Sequence, residues 1–144
     1  GIISQSQIAL AAECIGGAQK CLDMTLEYAS QRVQFGRSIA SFQAIKHRCA
    51  DMFVLIEAAR SAVYAAAVAT DSEKTEAVLI AKANATEAYF KVAGDAIQLH
   101  GGIGFTWEYP LHLFFKRARA NRTMFGVLSE DYKLLADNIF GDKL

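Results

Sequence analysis

Proline is nearly absent from this sequence: Pro110 is the single one among 144 residues. Because proline interrupts a helix and alanine loses no side-chain entropy in one, this scarcity and the many alanines favour helices. Apolar residues make up 53% of the chain, which excludes a disordered polypeptide. The length suits one domain with a sizeable core.

Net charge is also lacking, since fifteen basic residues balance fifteen acidic ones. No long-range field would therefore attract nucleic acid or an anionic membrane. No apolar run is long enough to span a bilayer, and no signal peptide is visible. Positive charge is concentrated locally at Lys116, Arg117, Arg119 and Arg122. We interpret this basic run first as a solvated helix face. The alternatives are pairing across a subunit boundary and a contact with a CoA phosphate.

Cysteine is scarce: there are three, Cys14, Cys21 and Cys49, and no two of them form a CxxC pair. Their alanine-rich surroundings predict small buried thiols. Free thiols in turn indicate a reducing compartment. The histidines show no metal-ligand spacing, so no metal site is predicted: His47, His100 and His112.

Apolar periodicity predicts five helices, over about 5–34, 42–70, 74–99, 110–124 and 129–140. Three long helices with short connections predict an all-α fold, an antiparallel (up-and-down) four-helix bundle with a short additional C-terminal helix. Ser41 is the expected N-cap of the second helix, and Asp71 with Ser72 that of the third. Pro110 fits the first turn of the fourth helix. No strand is predicted.

The predicted buried lines step by three or four residues. In the first helix the line is Ile8, Ala12, Ile15, Leu22, Leu26, Ala29 and Val33. In the second it is Ile45, Cys49, Met52, Ile56, Ala59, Val63 and Ala66. In the third it consists of small residues that let helix axes approach closely: Ala81, Ala85, Ala88, Val92 and Ala96.

Two breaks between helices carry residues suited to binding. Arg32, Gln34 and Phe35 precede Gly36, and an arginine fork can bind a pyrophosphate while phenylalanine packs on a flat ring. The stretch 98–105 holds three glycines in four positions, which permits close backbone approach to a ligand. The alternatives are a surface arginine at a helix end and a plain helix C-cap.

Taken in order, these breaks and three shorter elements resemble the acyl-CoA dehydrogenase family: 28–36 (YASQRVQFG), 42–44 (FQA), 50–52 (ADM), 98–105 (QLHGGIGF) and 108–110 (EYP). The resemblance covers essentially the whole chain, and the RxxFG and GGxGF elements together are specific. It implies that residues 1–144 are the C-terminal helical bundle domain of a longer protein that also has a helical and a β domain.

The resemblance also implies a function. Such enzymes oxidise acyl-CoA thioesters to trans-2-enoyl-CoA: a carboxylate removes the α-proton, and hydride leaves to the flavin of FAD. Electrons then pass to an electron-transfer flavoprotein. The FAD lies across a subunit interface, which implies a dimer or a dimer of dimers. By this resemblance seven positions would contact FAD: Arg32, Gln34, Phe35, Gln43, Gln98, Gly101 and Gly102. The expected compartment is the bacterial cytoplasm, or the mitochondrial matrix in a eukaryote.

The sequence departs from the family at the catalytic base. Most members carry a glutamate in a turn after the fourth helix, and that position falls at Gly126. A minority place it at the start of the first helix, at or beside Ser6, where residues 5–7 have no carboxylate. Near Leu128 and Glu130 the family's FAD-binding threonine and glutamine are missing as well. The catalytic residue is therefore unknown.

Other carboxylates have ordinary structural interpretations: Glu13 as a solvated helix position, and Glu130 and Asp131 as partners of a helix dipole. Three functions stay open. The parent protein is an acyl-CoA dehydrogenase with an unusually placed base, or a non-catalytic subunit that completes the FAD site of a catalytic homologue, or a plain assembly module. The glycine-rich break argues against the third.

Overall fold

The computed structural model describes residues 1–101, 104 and 110–143, and within these ranges five α-helices make up most of the chain. Their bounds are α1 Ile2–Gln31, α2 Gln43–Val68, α3 Lys74–His100, α4 Leu111–Asn121 and α5 Leu128–Phe140. A two-stranded antiparallel pair, β1 (Val33–Gln34) and β2 (Arg37–Ser38), follows α1. Short 3-10 turns lie at Ile39–Ser41 and Gly141–Lys143.

Side-chain contacts give the directions of the three long helices. Tyr28 near the end of α1 stacks on His100 at the end of α3, so α1 and α3 run the same way. Arg48 near the start of α2 bonds Asp95 near the end of α3, so α2 runs against both. The predicted up-and-down order of the first three helices is confirmed.

The fourth helix closes the bundle by running back along α1. Arg117 bonds Glu13, and Gln7 approaches the Phe125 carbonyl, so residues later in α4 meet residues earlier in α1. The helix α3 packs against all four other helices and is the centre of the fold. The predicted four-helix bundle with an additional C-terminal helix is therefore confirmed.

The predicted buried lines hold for α2 and α3 but only partly for α1. In α2 all the predicted positions are buried except Ile45, which packs on the core from its edge. In α1, Ala12 and Leu26 are exposed and Val33 lies beyond the helix in β1. The buried face of α1 is centred instead on five other residues: Leu10, Ala11, Cys14, Ala18 and Cys21. Alanine, cysteine and glycine occur on several faces of α1. Contacts with the neighbouring helices therefore decide which face is buried.

Both predicted side-chain caps are wrong. Ser41 ends the 3-10 turn and donates to the Ser38 carbonyl at 2.6 Å, while Phe42 is the N-cap of α2. Asp71 and Ser72 lie in the preceding turn, and Glu73 is the N-cap of α3. In both places the polar residues belong to the turn that precedes the helix, and the next residue, Phe42 or Glu73, is the N-cap.

The helices α1 and α3 approach most closely where Gly17 faces Tyr89. A Cβ added at Gly17 would lie 2.6 Å from the Tyr89 hydroxyl oxygen. Tyr89 is buried, and its ring occupies the space that any other residue at position 17 would need. The close contact therefore depends on glycine at this position.

The three cysteines are free and buried, as predicted. Burial raises the pKa of the Cys14 thiol to about 11 and that of Cys21 to about 12. Such thiols stay protonated and are poor nucleophiles, so they serve as core residues.

Among the described helices, none combines the length and the apolar character needed to cross a bilayer.

Candidate functional site

A groove lies at the end of the bundle where α1 and α3 both terminate. Its volume is about 410 Å³. We call it the end groove, and it is lined by Tyr28, Arg32, Gln34, Ile39, Gln98, Leu99, His100 and Gly101. Four of the seven positions assigned to FAD from the sequence therefore come together: Arg32, Gln34, Gln98 and Gly101. The breaks that follow α1 and α3 form one surface.

One wall of the end groove is a tight hairpin that the sequence did not reveal. After α1 the backbone turns through Phe35 and Gly36, with φ of 53° and 77°, and positive φ at both central residues is the pattern of the tightest hairpin turns. Ser38 Oγ donates to the Ala29 carbonyl at 2.7 Å and anchors the hairpin to the last turn of α1. Two-residue strands are too short to show an alternating pattern, which is why no strand was predicted.

Phe35 stands at the tip of this hairpin and is 92% exposed. It makes an edge contact with Phe42, with ring centroids 6.3 Å apart. A positive φ costs a phenylalanine about 1–3 kcal/mol, and the fold gains little burial in return. An exposed aromatic ring held in a strained backbone is suited to a contact with something outside this chain.

Arg32 lies directly after α1, with an extended backbone (ψ 127°) that ends the helix. Its backbone N–H donates to the Tyr28 carbonyl at 2.9 Å, and its carbonyl accepts from the Ile39 N–H at 2.8 Å. The backbone on both sides of the side chain is therefore fixed. The exposed guanidinium presents donors only, which suits it to an anion at the end groove.

Gln98 forms part of the opposite wall. Arg48 Nη2 donates to Gln98 Oε1 at 2.8 Å and to Asp95 Oδ1 at 2.9 Å. The sequence pointed to Gln98 but not to Arg48. Arg48 is one arginine inside a predicted helix, and its partners lie about fifty residues further along the chain.

His100 closes α3 and forms the floor of the end groove. Its ring stacks on Tyr28 with centroids 4.3 Å apart, and Nδ1 lies 2.7 Å from the Ala96 carbonyl oxygen. Burial lowers the pKa of His100, and backbone hydrogen bonds at Ala96 and Met24 oppose that shift only in part. His100 is therefore a packed, neutral ring at pH 7, and Gly101 ends the helix beside it with φ 59°.

Two of the seven positions assigned to FAD do not line the end groove. Phe35 is at the hairpin tip, and Gln43 is the exposed first residue of α2. A third position, Gly102, lies outside the described residues.

A second region forms around the turn between α4 and α5, at the opposite end of α1. Phe125 and Gly126 have φ of 57° and 105°. Lys82 Nζ donates to both of their carbonyl oxygens at 2.9 Å, and it lies 2.8 Å from Asp131 Oδ2. Lys82 is fully buried and Asp131 nearly so. This buried ion pair fixes the turn.

Sequence reasoning missed the role of Lys82 and misread Asp131. Asp131 does lie in the first turn of α5, as expected, but it is buried against Lys82 and does more than answer a helix dipole. The signal for Lys82 was its position beside Ala81, which belongs to the predicted buried line of this helix. A lysine there needs a buried partner, but the sequence does not say which.

Both positions considered for a catalytic base fall in this second region. Gln7 Nε2 lies 3.5 Å from the Phe125 carbonyl oxygen, so the start of α1 meets the turn that holds Gly126. Ser6 Oγ donates to the Ile2 carbonyl in its own helix. A Cβ at Gly126 would lie 3.6 Å from Lys82 Nζ, and its φ of 105° disfavours any other residue.

Two arginines of the basic run are paired within the chain. The Arg117 fork binds both carboxylate oxygens of Glu13 at 2.6 and 2.8 Å. Arg122 bonds Glu87 at 2.7 Å and lies over the Phe90 ring. These two arginines therefore do more than cover a solvated face. Glu13 is not a free carboxylate either, since its hydrogen bond from Arg117 is the main reason why its pKa is lowered.

Comparison with known proteins now identifies the class. The chain matches the family of acyl-CoA dehydrogenase C-terminal domains over residues 2–138, and it belongs to that family. Members of the family depend on FAD. The resemblance inferred from the helix breaks is thereby confirmed.

Individual relatives give the same result. The chain is 42% identical over 140 residues to acyl-CoA dehydrogenase IpdE2 of Mycolicibacterium smegmatis, covering 97% of this chain and 44% of that protein. It superposes on butyryl-CoA dehydrogenase from Megasphaera elsdenii with a TM-score of 0.90 at 33% identity, covering 95% of this chain and 36% of that one. It also matches the ChsE4-ChsE5 complex from Mycobacterium tuberculosis, with a TM-score of 0.89 at 30% identity, covering 96% and 38%. The chain thus spans less than half the length of these relatives.

Proposed function

We propose that this domain forms one wall of the FAD site in an acyl-CoA dehydrogenase assembly, and that the end groove receives the dinucleotide portion of FAD from an adjoining subunit. The observation that supports this most is the convergence of Arg32, Gln34, Gln98 and Gly101 on one groove. These residues come from two chain breaks about sixty positions apart, and the parallel packing of α1 and α3 places both breaks at the same end of the bundle.

The chemistry of the end groove fits a dinucleotide. A pyrophosphate needs positively charged or N–H donors, and Arg32 offers a planar fork that can bind it in a bidentate way. Gly101 brings bare backbone to the surface, so a ligand can approach closely. When bound, FAD supplies a flavin that accepts hydride from the substrate.

An adjoining polypeptide follows from the size and openness of the site. A groove of about 410 Å³ holds only part of an extended dinucleotide. Phe35 is exposed on the same hairpin, where its ring can pack on the remainder of the ligand or on the neighbouring chain. The neighbour is a second copy or a homologous subunit, in a dimer or a dimer of dimers.

The proposed reaction is the α,β-dehydrogenation of an acyl-CoA thioester, with electrons passed to an electron-transfer flavoprotein. A base must come within hydrogen-bonding distance of the substrate's α-carbon proton. This domain offers no carboxylate at Ser6 or Gly126, so in a catalytic protein the base comes from elsewhere. The bacterial relatives are consistent with a cytoplasmic location, which we include in the proposal.

A second candidate function is a non-catalytic partner that completes the FAD site of a homologous catalytic subunit. The observation that favours it is the second region, where glycine stands at the expected base position and Lys82 fills the space beside it. The end groove still carries Arg32, Gln34, Gln98 and Gly101, as a partner of this kind requires. The solved ChsE4-ChsE5 complex, to which the chain is similar, is named for two different proteins.

Expression of the full-length protein, alone and together with a homologous acyl-CoA dehydrogenase subunit, separates the two candidates. Absorbance near the flavin bands reports FAD, and bleaching on addition of acyl-CoA reports reduction. A yellow protein that bleaches alone supports the enzyme. Colour and bleaching only after co-expression support the partner. A colourless protein in both preparations contradicts both.

Arg32 gives the sharper test of the end groove. A charge-assisted hydrogen bond contributes about 1.5–3 kcal/mol, so we expect Arg32→Ala to weaken FAD binding by roughly 10- to 100-fold. Arg119→Ala is the matched control, since it also removes one exposed arginine but lies on α4. Flavin content is measured after dialysis. Equal flavin retention in the two variants would exclude Arg32 from the site.

A further inference from the structure

The Gln98 amide, in the wall of the end groove, is held by a charged neighbour, Arg48. We infer that Arg48 is a positioning residue: it fixes the Gln98 amide so that the NH₂ group, and not the oxygen, is offered to the anionic part of the ligand. This inference rests on the proposed function of the end groove. Arg48 itself is not one of the lining residues.

The orientation of the amide follows from donor chemistry. The two ends of a glutamine amide have nearly the same shape, and only the hydrogen-bond network tells them apart. A guanidinium has five N–H donors and no acceptor. Because Arg48 Nη2 lies 2.8 Å from the Gln98 amide, it must face Oε1, and Nε2 is left as the group available to a ligand.

Arg48 is itself held in place by Asp95. The same Nη2 atom lies 2.9 Å from Asp95 Oδ1, and Asp95 precedes Gln98 by three residues on α3. Residues three apart share a helix face, so one arginine from α2 bridges both. The Asp95 carboxylate also compensates the arginine charge, which leaves orientation of the amide as the main contribution of Arg48 to the site.

The consequence for binding concerns the polarity of the groove wall. An unrestrained amide could turn either end towards a phosphate. The amide oxygen would repel the phosphate, and the NH₂ group would donate a hydrogen bond to it. Arg48 removes the first possibility. Gln98 then acts as a fixed donor on one wall, and Arg32 provides donors on the other.

A double-mutant design separates this role from general stability and from simple charge attraction. FAD affinity is measured by flavin titration of the apo form of the full-length assembly, for Arg48→Met, Gln98→Leu and the double variant. If Arg48 acts through Gln98, we expect Arg48→Met to weaken binding by roughly tenfold in the wild-type background and by less than about twofold in the Gln98→Leu background.

The chain contains a matched control. Arg60 also lies on α2, and it also bridges a glutamine oxygen and a carboxylate: Gln19 Oε1 at 2.9 Å and Glu57 Oε1 at 3.0 Å. It lies away from the end groove, so Arg60→Met should leave FAD affinity unchanged. The Arg60→Met variant loses the same kind of hydrogen bonds as Arg48→Met, so it controls for any general effect of that loss on FAD affinity.

Gln98→Glu gives a readout that a structural role would not produce. The glutamate keeps the pairing with Arg48, so the melting temperature should stay near that of wild type, but the donor is replaced by an acceptor. We expect FAD affinity to fall at least as far as in Gln98→Leu. Unchanged affinity in Gln98→Glu, or an equal effect of Arg48→Met with and without Gln98, would overturn the inference.

Two further outcomes are informative. If Arg48→Met does not fold, Arg48→Lys keeps the charge and offers only donors from a shorter side chain, and it should give an affinity between those of wild type and Gln98→Leu. An affinity below that of Gln98→Leu would contradict a role that acts through Gln98. If the wild-type assembly binds no FAD at all, the proposed function itself fails, and this is seen before any variant is made.

Discussion

Adjacent glycines in α1 allow the packing of this bundle to be tested with a single methyl group. A Cβ at Gly17 would lie 2.6 Å from Tyr89 Oη and 2.7 Å from Cε2. A Cβ at Gly16 would meet no atom within 4 Å. Gly16→Ala and Gly17→Ala thus add the same group to the same helix, one towards open space and one into the contact between α1 and α3.

The expected magnitudes follow from these two environments. Alanine in a helix interior is favoured over glycine by about 0.5–1 kcal/mol, so Gly16→Ala should stabilise the fold by that amount. Gly17→Ala has the same gain, but overpacking a buried site costs about 1–3 kcal/mol. Tyr89 is only 2% exposed, so its ring has to shift within the packed contact to make room for the methyl group. The free energies of unfolding should therefore differ by about 1–3 kcal/mol, with Gly17→Ala the less stable.

Urea unfolding followed by far-ultraviolet circular dichroism measures both values, and an unchanged m-value shows that the two states are the same. Tyr89→Leu in the Gly17→Ala background removes the phenol ring and should recover part of the loss. Equal stabilisation by the two alanines would refute the reasoning. It would mean that α1 and α3 do not approach as closely as the structure shows, or that Tyr89 moves at no cost.

Three further predictions concern buried ionisable groups. Lys82→Met leaves Asp131 buried without its cation and should lower the free energy of unfolding, measured in urea, by about 3–5 kcal/mol. Lys82→Met combined with Asp131→Leu should lower it by less than Lys82→Met alone. A larger loss for the double variant would contradict the role of the ion pair. His100 has a lowered pKa in the fold, so the unfolded state binds a proton first, and stability should fall as pH drops below the ordinary value of 6.5; a profile identical to that of His100→Gln would disprove this. The thiols of Cys14 and Cys21, with pKa values of about 11 and 12, should react with iodoacetamide at pH 8 only after denaturation, as mapped by mass spectrometry; rapid labelling of the native protein would show that they are not buried.

The features predicted best are those encoded in a local, repeated signal. The apolar positions of α2 recur without a gap, and α3 carries small residues at its buried positions, so both helices and their packing faces follow from periodicity. The line of α1 was less certain because alanine, cysteine and glycine occur on several of its faces. There the neighbouring helices decide which face is buried, and a single helix does not contain that information.

Local signals predicted the helix breaks, and the family resemblance pointed to the residues of the end groove. Glycines such as Gly101 mark a break directly, because they end a strong helical pattern, whereas Arg32 by itself also fits a surface arginine at a helix end. Arg48 and Lys82 were missed because each lies inside a helix and acquires its role from partners 43 or more positions away in sequence. An arginine or lysine in the middle of a helix looks the same whether it is solvated or bridges two helices.

The two regions of this domain lie at opposite ends of the bundle, and this separation affects how the protein can evolve. Ser6 and Arg32 are 26 residues apart along nearly the whole of α1, which corresponds to roughly 39 Å at 1.5 Å per residue. The turn around Gly126 therefore cannot share a compact reaction centre with the end groove of the same chain. Under the proposed function, each end is completed by other parts of an assembly. Glycine at the expected base position then leaves the end groove unaltered, so a subunit of this kind can lack catalysis at one end and still support a neighbour's flavin at the other.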